Sequence, residues 1–553
     1  MFTQKELKPV LIIIFVSIVV ILPLAVFGIP DANDMPQHVI FASELKESIA
    51  NGDLLPNWGA SENAGYGSPG IRIYPILGYF PMALSYLLTG SWFDAIWLSF
   101  FFWLAISGLG LYRLARIWLP QTAALTASLV YLLIPYHLNQ IYITFAYAEF
   151  VAAAILPFCF AYAYICVRRS KHTDVLLLVL FLSLLVLSHI PMLLVGSFGL
   201  FIFVLAILDY KNPLPGIAKC AAAVACTLAL TSFYWVKVLT EMEWINHSQI
   251  QYSSGHYQYS SNFFPLMVSS VRKGFLETSF DIGTSVTLLV LTVGALGLMY
   301  AKRRFPNAEI REPWAFFSIG LFAFFMSSFL STPIWDAISP LQKIQFPFRW
   351  MVIGAISTAI LTGYLAQLLI DSEAFKNRFI SPLLQSIALI FLIFVVFAYF
   401  LPSSFAPLTR EKIHQQLKYI ETQQSFFCWW AIWSSPKALG KHELLTAKNR
   451  EAIVTKWRPT FRTFSVDAGN AENVRVATFY YPNWKANVNG KPVELTYGVD
   501  GAIEVPIPPE FSVVQLTFEP SHLESFANTV SVAMLILLVL AGFYSFRQED
   551  TKQ

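Results

Sequence analysis

The chain has 553 residues, of which 56% are apolar and only 13% charged, with a formal net charge of +3. Charge at about half the share of a soluble domain, together with recurring apolar runs of about 20 residues, excludes a cytosolic enzyme, a disordered chain and a fibrous repeat. The small net charge, with no block of Lys and Arg, gives no footprint for nucleic acid.

Lys5 and Lys8 precede a first apolar run, 10–29. It is long for a signal peptide, and Ile29-Pro30-Asp31 is a poor cleavage site, so it reads as a retained helix with its basic flank in the cytoplasm. Further runs lie near 92–117, 121–136, 148–167, 173–189, 191–208, 216–236, 282–300, 314–330, 348–370, 380–400 and 527–546, predicting about twelve spans. The positive-inside rule supports the order. Cytoplasmic ends hold Arg113/Arg116, Arg168/Arg169/Lys171, Lys211/Lys219, Lys302/Arg303/Arg304/Arg311, Lys376/Arg378 and Arg547/Lys552, and the short outer loops are poor in both residues. Tyr74 to Leu88 is apolar too, but it contains Pro75, Gly78 and Pro81. Counting it as a span would invert every later loop, so it is predicted to lie on the membrane surface, as is the helical spacing over 39–50.

Three outer regions are then large: 30–90, 237–281 and 401–525. The second is aromatic, with Tyr252, Tyr257 and Tyr259 in one short stretch. The third alternates like strands from Val474 to Tyr480, and Asn489-Gly490 and Asp500-Gly501 are hairpin turns. The predicted fold class is therefore an α-helical polytopic membrane protein with a small C-terminal extracytoplasmic β-domain. Residues 1–400 form the membrane domain, 401–525 the β-domain, and 526–553 a last span and cytoplasmic tail.

The five cysteines show no metal or disulfide spacing; Cys428 stands alone in a polar region. Gly65-Tyr66-Gly67-Ser68-Pro69-Gly70 fits G-x-G-x-x-G by letter but follows no strand, so it reads as a turn-rich loop.

Polar residues at a membrane boundary are expensive unless they are solvated or paired, which makes them candidates for chemistry. Asp34, two residues before Pro36, is placed to cap a helix; a carboxylate there can also act at the outer face. His137, Glu149 and His189 fall on the same face by topology, and a lone buried His is as a rule a core residue. Arg349, in Phe346-Pro347-Phe348-Arg349-Trp350, is either a phosphate ligand or an anchor reaching for the headgroups.

These residues carry a resemblance. Asp34-Met35-Pro36-Gln37-His38, Gly52-Asp53-Leu54-Leu55-Pro56-Asn57-Trp58, Gly65-Tyr66-Gly67 with Tyr74-Pro75, Ala148-Glu149, Leu187-Ser188-His189 and Gln345-Phe346-Pro347-Phe348-Arg349 occur in that order. The order resembles the GT-C superfamily of polytopic glycosyltransferases, and more narrowly the bacterial 6-pyruvoyl-tetrahydropterin-synthase-related membrane proteins. Phe479-Tyr480-Tyr481-Pro482-Asn483-Trp484-Lys485 is similar to their outer β-domain.

The resemblance implies a GT-C-like fold in the bacterial inner membrane. It implies inverting transfer of a sugar from a polyprenyl-phosphate donor to an extracytoplasmic acceptor, with Asp34 as catalytic base. Arg349, helped by His189, is then expected to meet the phosphate, with His38, Glu149 and His137 in substrate binding. Membrane lipids are the other partners. No cofactor is called for, and a divalent metal is left open. One departure stands out: related sequences often carry an Arg shortly before the Ala-Glu pair, where this chain has Ile143-Thr144-Phe145-Ala146-Tyr147. The alternatives are a non-enzymatic transporter or flippase of lipid-linked glycans, for which an internal repeat is missing, and an assembly factor.

Overall fold

A computed structural model describes residues 6–32, 34–168, 172–249, 259–264, 275–304, 310–370, 407–413, 415, 425–441 and 443–550. The first half runs α1 (Leu7–Phe27), α2 (Met35–Ala50), α3 (Gly70–Ile73), α4 (Tyr79–Thr89), α5 (Trp92–Ala115), α6 (Gln121–Leu133), α7 (Pro135–Tyr142), α8 (Tyr147–Arg168), α9 (His172–Val186) and α10 (Ile190–Ile207). It continues with α11 (Leu214–Leu230), α12 (Ser232–Glu241), α13 (Asn246–Gln249), α14 (Phe275–Arg304), α15 (Arg311–Ser327), α16 (Thr332–Ala337), α17 (Ser339–Gln342) and α18 (Met351–Ile370). The last helix, α19 (His522–Asp550), follows the β-domain.

Among the described residues, seven helical stretches are long and apolar enough to cross a membrane: Leu7–Phe27, Trp92–Ala115, Tyr147–Arg168, Ile190–Ile207, Ser285–Arg303, Pro347–Ile370 and His522–Ser545. The spans expected at 121–136, 173–189, 216–236 and 314–330 are helical but shorter or bent. α6 has 13 residues and rises only about 20 Å at 1.5 Å per residue. It ends because Ile134 precedes Pro135 and is held extended. α9 has 15 residues and α15 has 17. The expected span 216–236 begins in α11 and breaks at Thr231, where the chain bends by 69° into the following helical segment. The expected span 380–400 and the aromatic run 251–258 lie outside the described residues.

The two helices of the first outer loop also differ from expectation in their bounds. The one expected over 39–50 starts at Met35, with Pro36 in its first turn. The one expected over 74–88 begins only at Tyr79, because Tyr74 precedes Pro75 and turns extended (ψ 143°) after the short α3. α5 then starts under a serine cap, the Ser91 hydroxyl accepting the Asp94 N–H at 3.3 Å.

Strands β3 (Leu445–Thr446), β4 (Ala452–Arg458), β5 (Phe461–Val466), β6 (Glu472–Phe479), β7 (Trp484–Val488), β8 (Lys491–Val493), β9 (Thr496–Tyr497), β10 (Ala502–Ile507) and β11 (Ser512–Phe518) make two antiparallel sheets. Their orders are β3-β6-β10-β9 and β4-β5-β11-β7-β8. Both predicted hairpin turns are present. Asn489 and Gly490 have φ of 50° and 76° between β7 and β8, the doubly left-handed pair that a two-residue turn requires. A two-residue pair, β1 (Ile29–Pro30) with β2 (Pro407–Leu408), ties the end of α1 to the chain ahead of the β-domain.

The first outer loop is part of the β-domain core. Trp58 and Tyr66 are buried in one cluster with Phe464, Phe479, Trp484 and Leu516. The Tyr66 ring lies 5.1 Å from Phe479, its hydroxyl donates to the Lys441 carbonyl at 3.0 Å, and its own carbonyl accepts the Phe479 N–H at 2.9 Å. The stretch that mimicked a nucleotide fingerprint is thus a plug. Gly67 is glycine for two reasons: its φ is 81°, and a Cβ there would stand 2.0 Å from the Trp58 indole nitrogen.

Below the plug, Arg72 is fully buried and binds Glu241 twice, at 2.8 Å each, Asn57 at 2.6 Å, and Glu524 of α19. Tyr481 of the β-domain donates to the same Glu241 at 2.8 Å. Two outer loops, the β-domain and the last helix therefore share one ionic node. Removing Arg72 takes the guanidinium away from two buried carboxylates, which costs about 3–5 kcal/mol. Arg72→Ala is expected to lower the melting temperature sharply in detergent and to loosen the β-domain to protease; an unchanged melt would show that the node contributes nothing.

Candidate active site

Asp34 sits at the start of α2. The simpler reading, that it caps this helix, fails on geometry: its backbone is helical (φ −84°, ψ −15°) and its carboxylate makes no capping bond. Among the described residues that carboxylate has no hydrogen bond or ion pair. It is accessible to solvent, yet burial by surrounding protein is the main cause lifting its pKa to about 6. A side chain both accessible and desolvated stands in a recess. Arg349 opposes the rise and Glu149 adds to it, so both charges act on Asp34.

Glu149, in the first turn of α8, and Arg349, just ahead of α18, form a buried pair with Nε 2.9 Å from Oε2. Glu149 also accepts from the Tyr136 hydroxyl at 2.6 Å and the Gln140 amide at 3.0 Å. His137 is fully buried behind this group, with Nδ1 3.3 Å from Gln140 Oε1. Through Gln140 it joins the network around Glu149. Arg349 Nη1 is held by the Ile344 carbonyl and, at 3.4 Å, by Gln345 Oε1, and the guanidinium lies 4.8 Å from the Phe346 ring centre. Its second amino group, Nη2, makes no hydrogen bond among the described residues. Arg349 is 8% exposed, so it does not reach for headgroups as an anchor would.

His189 precedes α10 and is buried, with Nδ1 unpartnered among the described residues. Burial, helped by the charge of Arg349, holds it neutral. His38, one turn after Asp34, has Nδ1 2.7 Å from the Tyr79 hydroxyl, and burial lowers its pKa to about 3. The rings of Tyr74, Tyr79, Phe145 and Tyr147 stand 5.9–6.1 Å from it.

The structure thus pairs Arg349 with Glu149 and sets Asp34 and His189 within the field of Arg349, with His38 among the aromatic rings and His137 bonded to Gln140. It adds Tyr74, on whose hydroxyl Asp34, Arg349 and Glu149 all act, and the supports Tyr79, Tyr136 and Gln140. Two residues here hold positive φ without being glycine: Phe145 (52°), beside His38, and Gln345 (66°), beside Arg349. Such strain persists where surrounding packing enforces it, as at functional sites. Gln140 carried a weak signal, lying three residues after His137 on a helix; Tyr79 carried none. No group of three or more His, Cys, Asp or Glu that could hold a metal ion occurs among the described residues.

Residues 71–404 match the family described as 6-pyruvoyl-tetrahydropterin synthase related domain; membrane protein. No curated relative matches the chain in sequence. Among solved structures, the chain is similar to the apo oligosaccharyltransferase of Archaeoglobus fulgidus, at 13% identity and TM-score 0.42, over 77% of this chain and 61% of that one. It is similar to the arabinofuranosyltransferase AftD from Mycobacteria, at 12% identity and TM-score 0.45, over 73% and 27%. It is also similar to ArnT from Cupriavidus metallidurans, at 14% identity and TM-score 0.33, over 65% and 78%. The chain thus spans less than two thirds of the length of the first two.

Proposed function

The chain belongs to the 6-pyruvoyl-tetrahydropterin-synthase-related membrane-protein family, and from that premise and the recess around Asp34 we propose an inverting glycosyltransferase that uses a polyprenyl-phosphate-linked sugar. The observation that carries this reading is Asp34 itself. It is a carboxylate with no structural partner among the described residues, raised toward neutral pH, in reach of the field of a buried arginine with one unbound amino group.

In this reading the acceptor hydroxyl attacks the anomeric carbon while Asp34 takes its proton. The bond from that carbon to the phosphate oxygen breaks, and the lipid phosphate leaves with the electron pair. Arg349 Nη2 meets the charge that develops on the phosphate, with neutral His189 beside it. Glu149, braced by Tyr136 and Gln140, aims the guanidinium, and His137 steadies Gln140. His38 and the surrounding tyrosines frame the sugar. The recess and the β-domain face the outside of the bacterial inner membrane, and the polyprenyl tail lies between helices, open to lipid.

Deleting the gene from its host should remove one envelope glycan from the mass spectrum, with restoration by the wild-type chain. A reporter fused after Arg304 should stay cytoplasmic. The purified chain should also bind undecaprenyl phosphate. Unchanged glycans and no such binding would reject the reading; binding without transfer by the purified chain would favour a carrier of lipid-linked glycans.

A further inference from the structure

The segment Ser425–Ala431, at the entry to the β-domain, is tied to α2 and to both of the first two outer loops. The Phe426 N–H donates to Gln37 Oε1 at 2.7 Å, in the first turn of α2 that Asp34 begins. The Ser425 N–H and hydroxyl donate to Asn63 Oδ1 at 3.1 and 3.2 Å. The Ser68 hydroxyl donates to the Trp429 carbonyl at 3.0 Å. From the second outer loop, Asn246 donates to the carbonyls of Trp430 at 2.9 Å and Phe427 at 3.2 Å. Trp430 itself is buried in the β-domain core. The segment is therefore a fixed strap.

What this strap presents is apolar. The Trp429 ring meets Tyr74 edge-on at 5.1 Å, and its other contacts are Phe41 at 5.9 Å and His247, stacked at 4.9 Å. Phe426 and Phe427 are exposed. The seven residues include no charge. Cys428, between Phe427 and Trp429, is half-buried. Burial is the main cause raising its thiol pKa, and the Asp34 carboxylate acts on it as well. Tyr74, by contrast, feels Asp34, Arg349 and Glu149 together. Trp429 against Tyr74 and the Phe426 N–H on Gln37 bring the segment to the Asp34 end of α2.

We propose that Ser425–Ala431 is the acceptor-side wall of the Asp34 recess, with Cys428 setting the room for an uncharged sugar ring that presents its hydroxyl to Asp34. This rests on the glycosyltransferase reading. The phosphate and its arginine occupy one side of the base, and the acceptor must come from another. A wall of aromatic and apolar groups without charge suits a neutral ring held by contact area, with few polar groups to orient it.

The test enlarges the wall. Cys428→Ser, nearly isosteric, should restore the missing envelope glycan in the deletion strain to within about twofold, and Cys428→Phe should lower it by about tenfold or more, the scale of a small misplacement of the reacting groups. The full-length Phe variant in nanodiscs should keep its melting temperature and its affinity for undecaprenyl phosphate. If Phe does not fold, Cys428→Leu takes its place. A folded large variant that transfers normally overturns the wall, and one that loses undecaprenyl phosphate affinity along with transfer moves the strap to the donor side. A wild-type chain that neither binds undecaprenyl phosphate nor alters any glycan fails the underlying reading instead, and the wall falls with it.

Discussion

Asp34→Asn should leave folding intact and lower sugar transfer by about 10²- to 10⁴-fold, the scale of losing a general base. The substitution is nearly isosteric, and the wild-type carboxylate makes no capping bond that asparagine could fail to replace. The helix therefore supplies no reason for a stability change. The pH profile is a second measure of the same role. Burial lifts the Asp34 carboxyl to about 6, so the base is protonated and idle below that value and free above it. Wild-type transfer should rise with pH through about 6 and then level. The residual rate of the Asn variant should lack that limb. Near-normal transfer in the variant would mean that another group takes the proton. A retained rise near pH 6 would assign that limb to a different group.

The broad architecture was legible because it rests on composition. Long uncharged runs must be helices across lipid, and alternation with Asn-Gly turns must be hairpins, so α1, α5, α8, α10 and α18 and the β7–β8 turn lie near their expected places. Helix ends were less legible where prolines decide them: Pro135 cuts α6 short, and Pro75 delays α4. The site divides in the same way. Asp34, Glu149 and Arg349 could be placed on one face by counting spans. Their pairing could not be counted, because Glu149 and Arg349 stand 200 residues apart in the chain. Nor could sequence show that Asp34 is left without a cap bond, or that Trp58 and Tyr66 leave the first loop to enter the β-domain core. Those facts arise from tertiary packing, which no local pattern encodes.

Arg349 offers the sharper separation of structure from chemistry. Its Nε binds Glu149 and its Nη1 the Ile344 carbonyl, and only Nη2 is left for a phosphate. Lysine can supply a charge but not this fork. Arg349→Lys should therefore fold and lose most donor affinity and transfer, by about tenfold or more for a lost charge-assisted bond. Arg349→Ala is ambiguous alone, since it strands Glu149, 4% exposed, as an uncompensated buried charge, at about 3–5 kcal/mol. Pairing it with a second change removes the ambiguity. Arg349→Met with Glu149→Gln takes away both charges, keeps an amide for the Tyr136 and Gln140 contacts, and should recover much of the lost stability, because replacing a buried pair by neutral groups of similar volume is often neutral or better. A merely structural Arg349 predicts that this double variant melts near wild type and also transfers. A phosphate ligand predicts that it melts near wild type, fails to bind undecaprenyl phosphate and transfers nothing measurable. Differential melting and binding in nanodiscs distinguish the two. Full undecaprenyl phosphate affinity in the folded double variant would remove Arg349 from the donor site and leave His189, whose Nδ1 has no partner among the described residues, as the group to test next.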